Sequence, residues 1–122
     1  MLNKALGAKG EELAADFLTR QGYEIVTRNF RYDRGEIDII VKRQKLISFC
    51  EVKTRTTRTF GTGEEAVNFR KQNQLRKVAE GFIAEQQLTH ESFTDDHEFR
   101  FDVIVIEIGR NQTNIRIIEN AF

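Results

Sequence analysis

Two runs in the middle of the chain constrain the fold most strongly: GEIDIIVKR at 35–43 and KLISFCEVKTR at 45–55. Both are rich in Ile and Val, and only a short charged turn separates them, so together they predict a β-hairpin. If the turn is centred between Gln44 and Lys45, the numbers of paired residues sum to 89. Loops of two residues and symmetric loops of four residues give the same sum, so the register follows from the turn position alone.

This register brings acidic side chains together across the hairpin. Asp38 lies opposite Glu51, and Glu36 lies opposite Lys53. Directly opposed residues of a sheet have Cβ atoms roughly 4.5–5.5 Å apart, and like charges at that distance repel. A shared proton, the neighbouring Lys53 or a divalent cation must offset the repulsion. The sequence therefore predicts Asp38 and Glu51 as ligands of Mg²⁺ (or Mn²⁺), with the backbone carbonyl of Val52 as a further oxygen donor.

A cation held by two carboxylates suits the hydrolysis of a phosphodiester bond. The cation would polarise the phosphate and acidify its bound water. Lys53, one strand repeat after Glu51, would orient or deprotonate that water, or stabilise charge in the transition state. On spacing alone, an ordinary cross-strand ion network is an equal alternative, because Glu-x-Lys is frequent in strands. Glu36 is either a partner of Lys53 or a further site residue.

The remaining apolar patterns complete an α/β chain. Helical spacing predicts a first helix from about residue 3 to about residue 21, followed by Gly22 as its C-terminal glycine. Asn68 is the expected N-cap of a second helix, whose apolar stripe runs from Leu75 to Ile83. Three further runs predict strands: YEIVTRNF, FRFDVIVIEI and NIRIIEN. The order αβββαββ indicates one domain over 1–122 with a mixed central sheet flanked by helices.

The chain also resembles a known family. GAKGEELAADFL, GYEIVTRNFR, GEIDII, EVKTR and RFDVIV, which lie between about Leu6 and about Ile106, resemble the YraN-like bacterial proteins. More distantly, the pattern is similar to archaeal Holliday-junction resolvases and to the PD-(D/E)xK nuclease superfamily. The resemblance implies a restriction-endonuclease-like fold and metal-dependent cleavage of DNA, including branched or structured DNA.

The resemblance also implies roles for particular residues. Asp38 matches the acidic residue of the second core strand, and Glu51 and Lys53 match the Glu-x-Lys of the third. Glu11, in GAKGEELA, matches a helix glutamate that the resolvases use, which makes it a fourth catalytic candidate. We expect the first helix to cover the face of the sheet that bears Asp38 and so to bring Glu11 towards the site. The alternative for Glu11 is a solvated helix face. Ile37 stands where the superfamily often has proline, a change that removes no ligand.

Five cationic side chains are expected to contact phosphates: Arg55, Arg58, Lys71, Arg76 and Lys77. The alternative for each is an ordinary solvated surface. A net charge of zero counts mildly against a nucleic-acid-binding protein. The charge is uneven, however, with basic segments at 53–58 and 70–77 and an acidic one at 85–98, so a local basic surface can still hold phosphates.

Composition narrows the cofactors and the location. The single cysteine, Cys50, cannot form an intramolecular disulfide, and with His90 and His97 as the two histidines a structural zinc site is not expected. Cys50 is expected to be an inert buried thiol, and Asp102 a structural residue that pairs with Arg100 or a neighbouring strand. No apolar run approaches the roughly 20 residues that span a membrane. We expect no secretion signal, no membrane partner and a cytoplasmic protein.

Three functions follow from these features. The first is a metal-dependent endonuclease, with nucleic acid, expected to be DNA, as its partner. The second is a non-catalytic nucleic-acid-binding module on the same fold, and the third is an interaction protein whose acids form a relic ion network. The intact Asp38, Glu51 and Lys53 favour the first. A homodimer would give a small nuclease two sites.

Overall fold

The computed structural model describes residues 4–56, 67–89 and 97–122. These residues form two helices and five strands in the predicted order αβββαββ: α1 Lys4–Arg20, β1 Glu24–Tyr32, β2 Gly35–Arg43, β3 Leu46–Thr56, α2 Phe69–Thr89, β4 Glu98–Ile108 and β5 Thr113–Ile118. The strands make one sheet in the order β1-β2-β3-β4-β5. Neighbouring strands are antiparallel, except that β3 and β4 are parallel. The predicted α/β architecture with a mixed sheet is therefore confirmed.

Local capping explains where the helices begin and end. α1 ends at Arg20 and is followed by Gly22, which has a φ of 92°, and the N–H of Tyr23 donates to the carbonyl of Leu18 at 3.1 Å. This is a Schellman motif, in which glycine takes the left-handed backbone without strain. α2 begins after Asn68, whose Oδ1 accepts a hydrogen bond from the N–H of Lys71 at 2.8 Å. Both predicted boundary residues act as expected. Neither helix combines the length and the apolar character needed to cross a membrane, within the described ranges.

The two helices cover opposite faces of the sheet, here named the α1 face and the α2 face. On the α2 face, the predicted stripe of α2 packs on apolar residues of the sheet: Leu75, Val78, Ala79 and Phe82 against Ile37, Ile40, Ile47, Phe49, Val103 and Val105. On the α1 face a second core forms: Ala14, Ala15 and Leu18 against Tyr23, Ile39, Val41, Cys50, Ile104 and Ile106. Each large side chain buried in this way stabilises the fold by roughly 1.5–3 kcal/mol.

Strand β2 contributes to both cores because its alternation is interrupted beside Asp38. Ile37 lies on the α2 face and Ile39 on the α1 face, although a regular strand would place both on one face. In β1 the residue across from Asp38 is Asn29, which has a φ of 54°. The registered pairs on either side of this position are Arg28–Ile39 and Phe30–Ile37. The sheet is therefore irregular at the point where the first predicted acid stands.

Candidate active site

The hairpin of β2 and β3 has the predicted register, since all of its registered pairs have numbers that sum to 89. Regular pairing ends at Ile39 and Cys50, one position before Asp38 and Glu51. Beyond it, a side chain replaces the backbone ladder: Oδ2 of Asp38 accepts a hydrogen bond from the N–H of Val52 at 2.8 Å. The two acids thus lie where the paired strands part.

The carboxyl groups of Asp38 and Glu51 contact each other on the α2 face. Burial, a hydrogen bond with Glu51 and the charge of Glu51 together raise the pKa of Asp38 from 3.8 to about 8, although the N–H of Val52 opposes the shift. A raised pKa is expected when one carboxyl faces another away from water. Near neutral pH, in the absence of a metal, the carboxyl of Asp38 is therefore mostly protonated.

Glu51 contains an orphaned acceptor. Its side chain is 14% exposed, and its buried Oε2 has no hydrogen-bond partner among the described residues. The ammonium of Lys71, at the start of α2, lies 3.7 Å away, which is an ion pair and too long for a hydrogen bond. An unsatisfied buried acceptor carries a desolvation cost of about 1–3 kcal/mol or more.

This pair of acids fits a hard divalent cation. Mg²⁺ takes oxygen ligands, often one or two carboxylates, and completes its coordination with waters and substrate phosphate. No group of three or more Asp, Glu, His or Cys side chains able to hold a metal occurs within the described residues. The protein would therefore supply two carboxylates, from Asp38 and Glu51, and leave the other positions to water, phosphate and the backbone carbonyl of Val52, which stays a predicted donor.

Lys53 shares the α2 face with Glu51. Strand β3 keeps an unbroken register with β4 along its whole length, so residues two apart point to the same side. Lys53 is half-buried, and its ammonium forms no hydrogen bond or ion pair with another described residue. Glu36, expected across from Lys53, binds Arg31 of β1 instead, at 2.9 Å. The difference arises because the pairing of β2 with β3 has already ended at that position.

Glu11 lies on the other side of the sheet. We expected α1 to cover the face that bears Asp38, and this expectation is wrong: α1 packs on the opposite face. At Gly10 the helix touches β3 so closely that a Cβ would stand 1.8 Å from Oγ1 of Thr54. Oε1 of Glu11 accepts a hydrogen bond from Asn29 at 3.4 Å, and Asn29 is the residue across from Asp38. Glu11 thus reaches the strand next to the acid pair, and its catalytic role stays a prediction.

Three of the five expected phosphate contacts have partners within the protein, including Lys71 through its ion pair with Glu51. Arg55 forms a hydrogen-bonded ion pair with Glu107 of β4, and both side chains are mostly buried. The guanidinium of Arg76 lies over the ring of Phe122, 5.4 Å from its centroid. Arg58 lies outside the described residues. Sequence spacing does not reveal these partners, because β4 and the C-terminus reach the site only through the fold.

Lys77, another expected contact, lines a groove of about 490 Å³ between the β1–β2 turn and α2. Arg34 and Arg70, which were not among the five expected phosphate contacts, line the same groove. Arg70 and Lys77 are seven positions apart, close to two helical turns, so a helical-face pattern would have found Arg70. Arg34 is brought in by long-range packing, because Nε2 of Gln74 donates to the carbonyl of Arg34 at 3.0 Å.

Asp102 and Cys50, for which the sequence predicts structural roles, both lie in the protein interior. Asp102 is 1% exposed and pairs with Arg100 through Nε at 2.8 Å, as expected. Cys50 is fully buried, and burial raises the pKa of its thiol to about 12, which makes it unreactive. His97 is half-buried, while His90 lies outside the described residues.

The chain has a restriction-endonuclease-like α/β fold, in which two carboxyl groups meet where β2 and β3 part. The chain belongs to the uncharacterised protein family UPF0102, whose model matches residues 10–106. A UPF0102 protein of Caldicellulosiruptor bescii is 50% identical over 121 residues, which cover 98% of both chains. A UPF0102 protein of Alkaliphilus oremlandii is 41% identical over 121 residues, covering 99% of this chain and 100% of the relative. The YraN-like resemblance is consistent with this membership.

Proposed function

We propose that the protein is a metal-dependent endonuclease that hydrolyses phosphodiester bonds in DNA, with Asp38 and Glu51 holding Mg²⁺ or Mn²⁺. The observation that carries the proposal is the buried carboxyl pair, in which one oxygen of Glu51 lacks a hydrogen-bond partner among the described residues. Facing acids destabilise a fold, and conflicts of this kind concentrate at functional sites. A cation bound between the acids would satisfy the orphaned oxygen and remove the repulsion.

Each side chain of the site has a task that its position supports. Asp38 and Glu51 would hold the cation, which when bound polarises a phosphate and lowers the pKa of a coordinated water. Lys53, on the same face as Glu51, would donate hydrogen bonds to a phosphate oxygen and stabilise the charge that develops there. Lys71, which contacts Glu51, adds a second positive charge beside the pair. Glu11 would act only indirectly, by holding Asn29 across from Asp38.

The resemblance to junction resolvases supports DNA as the substrate, including branched forms. A two-fold homodimer would place two such sites on one duplex and allow both strands to be cut. Sedimentation of the protein with and without a four-way junction measures this assembly directly.

A second candidate function is a nucleic-acid-binding module without catalysis. It is favoured by the hydrogen bond between the acids and by the N–H of Val52, which together give a protonated Asp38 partners without any cation. A relic site would keep this arrangement and bind nucleic acid through its cations alone. Metal binding and cleavage therefore separate the two candidates.

The test combines cleavage with an independent metal measurement. Linear, flapped and four-way DNA are incubated with Mg²⁺, Mn²⁺ or EDTA, and Mn²⁺ binding is measured by calorimetry without DNA. We expect Lys53→Ala to lower cleavage roughly 10²- to 10³-fold and to keep Mn²⁺ binding. Glu80→Gln, at an exposed position of α2, is the control and should match the wild type. Wild-type protein that binds DNA but neither binds Mn²⁺ nor cuts any substrate would establish the second candidate.

A further inference from the structure

The ring of Tyr32 lies flat against α2. A Cβ built on Gly81 would stand 2.4, 2.5 and 2.6 Å from Cγ, Cδ1 and Cδ2 of that ring, so the bare helix backbone covers one ring face. Tyr32 nevertheless stays 48% exposed and lines the groove. An aromatic ring with one face supported and the other open to a polar groove can stack on a planar ligand.

Three cationic side chains line the same groove as this ring. Arg34 from the β1–β2 turn and Arg70 and Lys77 from α2 line the groove, and all three are exposed. Asp33 is the acidic residue among the lining side chains. Arg70 and Lys77 are separated by about 10 Å along the helix axis. Phosphates rise by about 3.4 Å each along a strand of B-DNA. The two side chains are therefore far enough apart to contact different phosphates of one strand.

The first turn of α2 connects the groove with the carboxylate pair. Lys71, which contacts Glu51, follows Arg70 directly in the first turn of α2. The groove and the pair therefore lie on the same face of the sheet and share one helix. A strand held by Arg70 and Lys77 would run towards the two acids.

We infer that this groove binds an unpaired strand of nucleic acid, with Tyr32 stacking on a base and Arg34, Arg70 and Lys77 contacting phosphates. Stacking requires a base with a free face, which a duplex does not offer along its length, whereas positive grooves with aromatic platforms are the usual means of holding single strands. The inference rests on the proposed function in taking nucleic acid as the substrate, and it narrows that substrate to DNA with a single-stranded segment beside the bond that is cut.

Binding is tested by fluorescence anisotropy on the full chain in EDTA, with labelled oligo(dT) and with a duplex of equal length. We expect Tyr32→Leu to weaken oligo(dT) binding about tenfold, while Tyr32→Phe stays near wild type. Gly81→Ala should weaken oligo(dT) binding too, because its methyl group displaces the ring without removing it. Duplex affinity should not change in any of the three variants. Unchanged oligo(dT) affinity in Tyr32→Leu, or equal losses for both ligands, would overturn the inference.

The phosphate contacts are tested by the salt dependence of oligo(dT) binding. Replacing Arg34, Arg70 and Lys77 together by Ala should lower the slope of log affinity against log salt by roughly 2, since each single-strand contact contributes about 0.7. The matched control removes the same charge near the opposite end of the sheet, by replacing Arg20, Lys42 and Lys45 together by Ala. An equal change of slope in both triple variants would contradict the proposed groove.

These outcomes are independent of the proposed function. If oligo(dT) binds through Tyr32 but the protein never cuts DNA with Mg²⁺ or Mn²⁺, the nuclease proposal fails and the binding inference stands. If the protein cuts DNA in an Asp38-dependent way and Tyr32 has no effect on binding or cleavage, the inference fails and the nuclease proposal stands.

Discussion

Asp38 and Asp102 lie on β2 and β4, on either side of β3, and both carboxyl groups are withdrawn from water in different ways. Asp102 accepts hydrogen bonds from the guanidinium of Arg100 at 2.8 Å and from the hydroxyl of Ser48 at 2.6 Å. Its charge is balanced inside the protein. Asp38 instead faces a second acid, Glu51, and burial together with the charges of Glu51 and Glu36 raises its pKa.

The difference separates a structural acid from a candidate functional one. A buried charge with a hydrogen-bonded counterion needs nothing from outside, and breaking such a pair is costly. An acid that faces an acid gains from a proton or a cation taken from solution. Burial alone therefore does not identify the site. The sign of the charge beside each buried carboxyl is what makes Asp38 and Glu51, and not Asp102, the candidates.

The largest expected effect is on cleavage. Asp38→Asn and Glu51→Gln keep the shape of the site but remove the charge that a cation requires, so we expect cleavage to fall by at least roughly a thousandfold. Urea unfolding without metal should show unchanged or slightly increased stability, because the repulsion between the acids is relieved. Strong destabilisation with unchanged cleavage would instead make the pair a structural ion network.

Asp102→Asn tests the other side of the comparison. It removes the buried carboxylate that pairs with Arg100 and leaves the more exposed Glu119, 3.0 Å from the guanidinium, as the remaining counterion among the described residues. We expect a loss of about 3 kcal/mol in the free energy of unfolding. Urea titration at neutral pH measures this loss, with Asp16→Asn, at an exposed position of α1, as the control. Mn²⁺ binding by the folded protein should persist. A loss below about 1 kcal/mol would show that Asp102 contributes no more than a surface ion pair. That result would contradict its assignment as a structural acid.

The pH dependence of the metal-free protein provides a third test. The folded-state pKa of Asp38 is raised above its ordinary value of 3.8 to about 8, so the folded protein binds this proton more tightly than the unfolded chain. The resulting stability is fully present below pH 3.8 and is lost as the pH rises towards about 8. Asp38→Asn should lack this decline. An identical pH profile in the wild type and the variant would show that Asp38 titrates normally.

The same proton competes with the cation. Mn²⁺ affinity should rise up to about tenfold per pH unit below the pKa of Asp38 and level off above it. Calorimetry in buffers of different ionisation enthalpy should detect about one proton released per bound ion near neutral pH. Binding without proton release would place the cation elsewhere.

The smallest effect concerns Lys71. Its ammonium is 3.7 Å from Glu51 and the side chain is 44% exposed, so Lys71→Met should change stability by less than about 1 kcal/mol. Mn²⁺ affinity should increase a few-fold, because a competing positive charge is removed. Lys77→Met, two turns further along α2, is the matched control and should leave Mn²⁺ affinity unchanged. Weaker Mn²⁺ binding in Lys71→Met would mean that Lys71 organises the pair.

The sequence predicted those features of the site that depend on local rules. The position of the turn fixed the hairpin register, and Asn68 and Gly22 marked helix boundaries through capping chemistry. The break in alternation beside Asp38 was not predictable, because it involves a left-handed φ at Asn29, a residue that also occurs in regular strands. The face that α1 covers was mispredicted for the same reason, since Ile37 and Ile39 divide between two cores.

The phosphate-binding surface was predicted least well. Arg55 finds Glu107 on a strand that is distant in sequence, and Arg34 joins the groove through packing of the β1–β2 turn against α2. Such partners depend on the assembled sheet and not on the local pattern.

The parallel pairing of β3 with β4 affects how the chain folds during its synthesis. Each β3–β4 pair joins positions 52 apart, whereas β2–β3 pairs join positions 3 to 11 apart. At a synthesis rate of about 5–20 residues per second, β3 therefore emerges roughly 3–10 seconds before its partner. During that interval the long apolar edge of β3 has unpaired N–H and C=O groups, which template aggregation. The nascent chain is thus most prone to aggregation before β4 pairs with β3, the strand that carries Glu51 and Lys53. Ribosome-associated chaperones should contact that strand first.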